Sequence, residues 1–452
     1  MTRLRCVQCS RRLETHRCPA GVMGPARSSV RARRRAALVA YLQMAPAAEV
    51  IDACRRCEDP GENEGAESSS PHSSSSFGDV AQDALHRCVT HPIATSHPPT
   101  KAYIARLLKL ATIEAERGGQ TLNDRLVGHL VQQTFLQDGT DDGWCHKTYA
   151  YGELLQGSDT DDDDTEDGDV LANRRTVSFR MHRNLFEGGT GCHEWHAGFY
   201  LAELAATHPK ILDGRRVLEL GSGCGLAATV MARGTSESSP PREGCRGVPS
   251  RLILTDADAD ALVNLTANLA ANDVAVGGEK NTHPIDDSQT IPNKSVVTTA
   301  RLDWEDFDED TLRAYRTDLI VASDVLYDPL NITPLLNVCG CLLGTDEESF
   351  GDGDNHNQSQ NQSHIPGDDE SAPAGSWVDD VANNRRAVFV TTLRQPETLA
   401  KFETEATARG FEPRDVTADV FDAIGADGLF ERVRGLDRRG MRVHVLRPPR
   451  VG

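Results

Sequence analysis

The sequence predicts an α/β protein whose core is a Rossmann-like sheet of seven strands with helices on both faces. From Val170 onward, short apolar segments alternate with amphipathic ones, which is typical of strands that alternate with helices. A glycine-rich turn follows the first clear strand, as it does where a strand enters a helix in such sheets. We expect a small helical region before the sheet and disordered inserts between its elements, where insertions are tolerated.

The apolar segments indicate the strands, and the stretches with three- and four-residue periodicity indicate the helices. We predict strands at residues 216–220, 251–255, 296–301, 319–323 and 387–393, near 411–416, and at 442–446. We predict helices at residues 194–207, 225–232, 259–271, 329–343 and 396–408.

Composition indicates how the chain is divided. Of the 452 residues, 38% are hydrophobic and 5% are aromatic, so we expect about 300 of them to be packed. Periodicity at residues 101–116 predicts a helical accessory region. The predicted parts are a basic, then low-complexity and disordered N-terminus (1–80), a helical accessory region (83–155), an acidic linker (158–169), and the sheet domain (170–452) with disordered inserts at 235–250 and 344–376.

Charge and cysteine content restrict the partners and the compartment. The net charge of −20 repels phosphate backbones, which argues against a nucleic-acid-binding surface. No stretch approaches the roughly 20 apolar residues that a membrane-spanning helix needs. Twelve scattered cysteines indicate free thiols in a reducing compartment, so we predict a cytoplasmic location. As an alternative, the first 40 residues are Arg-rich with Glu14 as the only acid, a composition typical of organelle transit peptides.

Two Cys-x-x-Cys pairs raise the question of a zinc site: Cys6 with Cys9, and Cys54 with Cys57. Paired thiolates at that spacing can share a tetrahedral ion. A long basic, helix-like run at residues 33–43 separates the two pairs, and a compact zinc ribbon or finger uses a much shorter spacer. We therefore predict no metal site.

The strongest local signal is RRVLELGSGCGLAATVMA at residues 215–232. Its apolar strand is followed by Gly221, Gly223 and Gly225, which let a ligand approach the backbone closely. Turns of this kind also bind dinucleotide pyrophosphates. Glu219 at the strand end suits a cationic sulfonium and amino-acid ligand better, so the segment favours an S-adenosylmethionine (AdoMet)-dependent methyltransferase over a dehydrogenase.

Two further positions after strands suit a nucleoside. Asp256 ends the segment LILTD and can accept hydrogen bonds from ribose hydroxyls. Asp258 and Asp260 are instead expected to be acids at a helix N-terminus. Trp304 in LDW lies just past the third strand, where an adenine can stack on its ring, with core packing as the alternative.

The segment DLIVASDVLYDP is an apolar strand that ends in Ser323, Asp324 and Tyr327. Ligands of such sheets bind at the carboxyl ends of the strands, so these side chains are expected at the reacting centre. A carboxylate and an aromatic ring three residues apart can hold an amine, Asp324 by a charge-assisted hydrogen bond and Tyr327 by a cation-π contact. The alternative is a helix cap and a core ring.

Five segments together resemble the seven-strand protein-lysine methyltransferases: GTGCHEWHAGFYLAEL, VLELGSGCGL, LDW, ASDVLYDP and TTLRQPETLAKFETE. The segment HPIATSHPPTKAY at residues 91–103 resembles the accessory region of the family members that methylate elongation factor 2, and it is more specific than the shared catalytic motifs. The resemblance extends from about residue 83 to the C-terminus.

The resemblance implies a class I methyltransferase fold, AdoMet as the cofactor, and N6-methylation of a lysine of elongation factor 2. It implies cofactor contacts from Trp195, Gly221, Ser222, Gly223, Trp304 and Ser323, and orientation of the substrate lysine by Asp324 and Tyr327. Where the family has W-D-A-A, this chain has WHAG at residues 195–198, which leaves the contacts of the first helix open.

The reaction requires a neutral amine, and a lysine has a solution pKa of about 10.4. A tight apolar channel would lower this pKa. We expect Asp324 to position the amine and to stabilise the charged product, with general-base action as the weaker hypothesis. Other functions remain open: methylation of another protein lysine, for example on a chaperone, a non-catalytic scaffold with the same fold, or a nicotinamide oxidoreductase.

Overall fold

The computed structural model describes residues 29–58, 77–135, 143–152, 169–171, 174–184, 189–234, 247–277, 295–344 and 376–449. Most of the predicted low-complexity residues lie outside these ranges, including 59–76, 158–168, 235–246 and 345–375. None of the described helices combines the length and the apolar character needed to cross a membrane.

Helices build the N-terminal region, and the periodicity at residues 101–116 falls on the fifth of them. They are α1 (Val30–Leu42), α2 (Ala47–Arg55), α3 (Asp79–Thr90), α4 (Pro92–Ser96), α5 (Lys101–Arg117) and α6 (Asp124–Phe135). Leu38, Ile51, Leu85 and Leu107 meet in one core, and each has at most 3% of its surface exposed. The segment at residues 91–103 carries α4 and the start of α5, and the Tyr103 hydroxyl donates to the Ala45 carbonyl at 2.8 Å.

The prediction of a disordered N-terminus is wrong for residues 30–55. The arginines of α1 lie on exposed or half-buried positions, whereas its last turns, from Ala37 to Leu42, are buried. The apolar residues of α2 pack on the same core. Helices this short are marginal alone and gain their stability from packing, which the Arg-rich composition does not reveal.

The second Cys-x-x-Cys pair lies in this helical core. Cys54 and Cys57 are buried free thiols, and burial raises the pKa of Cys57 to about 11. Cys6 and Cys9 lie outside the described residues. Among the residues that the structure describes, no group of three or more His, Cys, Asp or Glu side chains is placed to hold a metal ion.

A β-hairpin follows the helices, where the sequence predicts only a helical accessory region at 83–155. β1 (Trp144–Tyr151) pairs in antiparallel register with β2 (Arg175–His182). The last four residues of β1 are all buried, so this strand lacks the simple alternation that marks a half-buried strand in a sequence. That part of the predicted organisation is therefore wrong.

The described residues form the predicted sheet of seven strands, in the order β5-β4-β3-β6-β7-β9-β8. The strands are β3 (Arg216–Leu220), β4 (Arg251–Asp256), β5 (Val296–Arg301), β6 (Leu319–Ser323), β7 (Arg386–Thr392), β8 (Glu412–Asp415) and β9 (Met441–Arg447). β3 to β7 are parallel to one another, whereas β9 is antiparallel to β7 and to β8. The predicted strand bounds agree with these to within one residue.

Helices cover both faces of the sheet, which is why its central strands are almost continuously apolar. They are α7 (His196–Thr207), α8 (Leu226–Arg233), α9 (Ala259–Ala271), α10 (Glu309–Ala314), α11 (Ile332–Leu343), α12 (Trp377–Asn383), α13 (Pro396–Ala408) and α14 (Thr417–Ile424). Val217 and Val321 pack against the core on the side of α7 to α9. Leu218 and Ile320 pack on the opposite side, against α11 and α13.

Three asparagines on α9 attach the hairpin to the sheet domain. Asn264, Asn268 and Asn272 are four residues apart and almost fully buried. Asn268 exchanges two hydrogen bonds with the backbone of Arg180, at 2.7 and 3.1 Å, and Asn272 does the same with Ser178, at 2.9 and 2.7 Å. The side-chain amides thus satisfy the backbone groups of β2 that another strand would otherwise bind.

The C-terminal loop connects the sheet domain to the hairpin and to α1. Glu203 of α7 is fully buried and accepts hydrogen bonds from the Leu429 and Phe430 amides and from Arg438. Phe430 forms an isolated antiparallel bridge with Tyr151. The carbonyl of Glu431 accepts a hydrogen bond from Gln43 of α1 at 2.7 Å.

Candidate active site

A cavity of about 330 Å³ opens at the carboxyl ends of β3, β4 and β6, where ligands of parallel α/β sheets bind. Its volume falls in the range of small-molecule sites. Eight of the ten site residues predicted from the sequence line it: Trp195, Gly221, Gly223, Asp256, Trp304, Ser323, Asp324 and Tyr327. The other two are buried: Glu219 lies at the end of β3, and Ser222 lies within the glycine turn.

The glycine turn has a backbone that side chains would disrupt. Gly221, Gly223 and Gly225 have φ angles of +67°, +51° and +84°, in the left-handed region that glycine adopts without strain. A Cβ on Gly223 would lie 3.3 Å from the Gly191 carbonyl oxygen. The turn therefore presents bare backbone to the cavity, which allows a ligand to come close.

Glu219 lies at the end of β3 with 1% of its surface exposed. Burial raises its pKa to about 8, and the negative charge of Asp256 adds to the effect. Its Oε2 atom is buried without a hydrogen-bond partner among the described residues. An orphaned carboxyl oxygen under the turn fits a cationic ligand, whose positive charge would compensate the ionised carboxylate.

Asp256 closes one side of the cavity at the end of β4. Its Oδ2 accepts a hydrogen bond from the Gly223 amide at 3.1 Å, and its Oδ1 accepts one from the Asp258 amide at 3.1 Å. Burial raises its pKa. Each oxygen keeps a lone pair, so the carboxylate can still accept hydrogen bonds from ribose hydroxyls.

Two tryptophans line the cavity. Trp304 is half-buried: it packs against the hydrophobic core, as the alternative interpretation expected, and it also lines the cavity, where its stacking on an adenine stays a prediction. A Cβ on Gly221 would lie 3.9 Å from Cζ2 of Trp304. Trp195 precedes α7, and its indole Nε1 donates to the Thr190 carbonyl at 3.0 Å.

Asp324 follows β6 in a left-handed conformation, with φ of +53°. Its carboxylate is 4% exposed and is already engaged on both oxygens. Oδ1 accepts from the Thr392 amide at 2.8 Å, and Oδ2 accepts from the Thr392 hydroxyl at 3.0 Å and from Arg394 at 3.1 Å. These three hydrogen bonds hold the carboxylate in a fixed orientation and occupy both of its oxygens, which disfavours the general-base hypothesis.

Ser323, Asp324 and Tyr327 together form one end of the cavity, which we call the acceptor end. Tyr327 is 55% exposed at the mouth of the cavity. Burial and the charges of Asp328 and Asp256 raise the pKa of its phenol, which stays neutral at physiological pH. Ser323 faces α7, where a Cβ on Gly198 would lie 3.8 Å from the serine hydroxyl.

The contacts of residues 195–198 explain why this chain has WHAG where the resembling family has W-D-A-A. His196 turns away from the cavity, and its Nε2 lies 3.2 Å from the Arg434 carbonyl oxygen of the C-terminal loop. Gly198 is buried beside Ser323 and keeps this part of the cavity wall close to α7. His196 thus contacts the C-terminal loop, whereas Gly198 in the same turn of α7 lies beside the cavity.

Sequence reasoning missed several residues that line the cavity. They are Thr190, Gly191, Ala257, Asp303, Glu305, Val325, Asn331, Pro334 and Arg394. Gly191 had no distinguishing pattern, although a Cβ there would lie only 2.6 Å from that of Ala261. Arg394 was visible in the segment TTLR, directly after the β7 strand, and that position at a strand end was the available signal.

The strand order, with an antiparallel last strand, and the glycine turn define a class I, AdoMet-dependent methyltransferase. Residues 174–350 match the family model described as lysine methyltransferase. The protein is an AdoMet-dependent protein-lysine N-methyltransferase, and the expected resemblance is confirmed.

Two relatives illustrate the similarity, and both are described as protein-lysine N-methyltransferase EEF2KMT. The protein from Bos taurus is 29% identical over 266 residues, which are 58% of this chain and 68% of the relative. The protein from Homo sapiens is 28% identical over 264 residues, which are 58% of this chain and 67% of the relative. An O-methyltransferase structure from Bacillus cereus covers 58% of this chain and 84% of its own, with 12% identity and a TM-score of 0.26. A likeness that low supports no functional conclusion.

Proposed function

We propose that this enzyme transfers methyl groups from AdoMet to a lysine of elongation factor 2. The observation that carries the proposal is the pair of relatives whose printed name contains this substrate. The segment at residues 91–103 supports it, because it resembles the accessory region of the same enzymes and forms part of the helical core.

The residues around the cavity suggest how AdoMet is held. The backbone of Gly221 and Gly223 would face its amino-acid part, and Glu219 would balance its positive charge from below, with Ser222 fixing the turn. Asp256 would accept the ribose hydroxyls, while Trp304 would stack on the adenine. Trp195 and Ser323 would close the remaining wall. When bound, AdoMet supplies an electrophilic methyl group.

The protein's own contribution to the reaction is to orient a neutral amine. The lysine would pass Tyr327, and its ammonium would lose a proton to solvent at the exposed mouth. The amine lone pair would then form the new N–C bond while the electron pair of the breaking C–S bond stays on sulfur. Tyr327 would contact the methylated ammonium that results, through its ring face.

Asp324 would shape this acceptor end and stabilise the cationic product. Since Thr392 fixes its carboxylate, the charge sits at one place before the substrate arrives. A preorganised charge of this kind needs no rearrangement during the reaction. A cytoplasmic location belongs to the same proposal, and it is supported by the free, mostly buried thiols among the described cysteines.

The test is incubation of the purified enzyme with isotopically labelled AdoMet and elongation factor 2, followed by mass spectrometry of the product. Asp324→Asn is measured in parallel, because asparagine tolerates the left-handed conformation and removes the charge, although its amide nitrogen also replaces one of the two acceptor oxygens. We expect lysine methylation by the native enzyme and a loss of about tenfold to a hundredfold in kcat/KM for the variant.

Asp328→Asn is the matched control, since Asp328 lies on the same turn and its Oδ1 contact to the Leu330 amide can be made by asparagine. It should retain native activity. Native enzyme that leaves elongation factor 2 unlabelled while it labels another protein in an extract would reject the proposed substrate. Full activity of Asp324→Asn would reject the role given to that carboxylate.

A further inference from the structure

An arginine beside the acceptor end of the cavity has no role in the mechanism above. Arg394 follows β7, and its Nη2 donates to Asp324 Oδ2 at 3.1 Å. Its Cζ lies 5.2 Å from the centre of the Trp195 ring. Its side chain is 45% exposed. The guanidinium thus lies at the cavity wall, in contact with two residues that surround the acceptor end.

Four carboxylates line the same cavity as this arginine. Asp256 ends β4, Asp303 and Glu305 follow β5, and Asp324 follows β6. The phenol of Tyr327 is neutral. Among the described residues that line the cavity, Arg394 is the only cation.

Four carboxylates by themselves would bind a lysine as its ammonium, because nearby anions favour the charged form. An ammonium has no lone pair and cannot accept a methyl group. Productive binding therefore requires a positive charge or desolvation that opposes the anions. Arg394 is held within hydrogen-bond distance of the carboxylate of Asp324, so it offsets part of that negative charge and lowers the preference for the ammonium form.

The ion pair between Arg394 and Asp324 is not required to hold the Asp324 carboxylate in place. Both oxygens of Asp324 already accept hydrogen bonds from Thr392. The half-exposed guanidinium adds little stability, because exposed ion pairs contribute modestly. A role beyond structure is thereby favoured.

We propose that Arg394 selects the neutral form of the incoming lysine: its positive charge repels the ammonium and leaves the amine free to accept the methyl group. The inference rests on the proposed protein-lysine activity but not on the identity of the substrate protein. Arg394 acts through the electrostatics of the acceptor end, and the lysine proton leaves to solvent.

The experiment is the pH dependence of kcat, at saturating substrate, from pH 6.5 to 10 for the native enzyme, Arg394→Gln and Arg394→Lys, because kcat reports the pKa of the bound lysine. In Arg394→Gln no positive charge opposes the Asp324 carboxylate, so the pKa of the bound lysine should rise. We therefore expect the acidic limb of the profile to move to higher pH by about one unit. Activity should fall about tenfold near pH 7.5 and recover toward pH 10. Arg394→Lys keeps the charge and should keep the native limb.

Calorimetry of AdoMet binding distinguishes this proposal from a rival explanation, in which Arg394 binds the carboxylate of the cofactor. We expect Arg394→Gln to bind AdoMet within about twofold of the native affinity. An unshifted acidic limb in Arg394→Gln, with activity lost equally at every pH or with weakened AdoMet binding, would overturn the proposal.

Both elongation factor 2 and a total cytosolic protein extract serve as methyl acceptors in this series. If the native enzyme labels the extract but not elongation factor 2, the proposed substrate fails, and the shift of the acidic limb is still measured on the labelled extract proteins. If elongation factor 2 is labelled and the limb does not move, the proposed function stands and the role of Arg394 fails.

Discussion

At the scale of single residues, Glu219 combines deep burial with an ionisable group. Its folded-state pKa of about 8 lies above the ordinary value of 4.5, so the folded protein favours the protonated acid. The contribution to stability is complete below pH 4.5 and is lost as the pH rises to about 8. A glutamate that ionises here makes folding less favourable unless a cation compensates it.

Glu219→Gln should therefore stabilise the cofactor-free protein increasingly between pH 5 and pH 8, because glutamine cannot ionise. The difference in the free energy of unfolding should be small at pH 5 and reach at most about 5 kcal/mol above pH 8. Chemical denaturation of both proteins across this range measures it. A difference that does not change with pH would contradict the burial argument.

For the residues of the acceptor end, the sequence predicted the positions but not the contacts of their side chains. Asp324 and Tyr327 were found from their place after an apolar strand, and both line the cavity. That the Asp324 carboxylate is bound by Thr392 and Arg394 could not be predicted, because these residues lie about 70 positions away in sequence.

At the scale of elements, the asparagines of α9 replace a missing neighbouring strand for the hairpin. Asn268 is 1% exposed and also donates to the Cys224 carbonyl at 2.9 Å. Asn268→Ala would leave the Arg180 amide and the Cys224 carbonyl without these partners. Since buried polar groups are costly when unpaired, we expect a loss of about 2–3 kcal/mol in the free energy of unfolding, measured by urea denaturation.

Asn337→Ala is the control for this prediction. Asn337 is also a helical asparagine, but it is exposed and bonds only the side chain of Arg409 among the contacts described. Its replacement should change the free energy of unfolding by no more than about 0.5 kcal/mol. Equal effects of the two substitutions would show that the attachment of β2 does not depend on Asn268.

The hairpin itself also explains why its strands were not predicted. Both faces of β1 contact protein near its end, so the alternation of polar and apolar residues is lost. The spacing of Asn264, Asn268 and Asn272 places all three on one face of α9, which was visible in the sequence. Their partners in β2 were not, because they come from a segment some 90 residues earlier.

At the scale of the whole molecule, α1 and α2 are part of the fold rather than an appendage. They complete the helical core, and Gln43 ties α1 to the C-terminal loop through the Glu431 carbonyl. Removal of residues 1–58 should expose the apolar sides of α3 and α5 and lower the Tm by about 5 °C or more. Calorimetry of the truncated and full-length proteins measures it.

Removal of residues 1–28 alone is the comparison, because it deletes none of the contacts described above. We expect a smaller change in Tm from this shorter deletion. If the two truncated proteins melted at the same temperature as the full chain, the helical core would not need α1 and α2.

The sequence by itself determined the sheet, its strand bounds, five of the eight described helices that cover it and eight residues of the cavity wall, whereas α10, α12 and α14 were not predicted. It could do so because buried parallel strands are continuous apolar runs and because three closely spaced glycines follow the first of them, at the turn into a helix. These are local signals, carried by neighbouring residues.

Only the tertiary structure showed that α1 and α2 are folded. It alone also revealed the hairpin with its asparagine contacts and the ion pair between Asp324 and Arg394. Each of these features depends on contacts between residues far apart in the chain, and the composition of a segment does not indicate which distant residues it contacts. A short arginine-rich helix is stable only when its apolar side is packed, and a carboxylate acquires its function from the charges that the fold brings beside it.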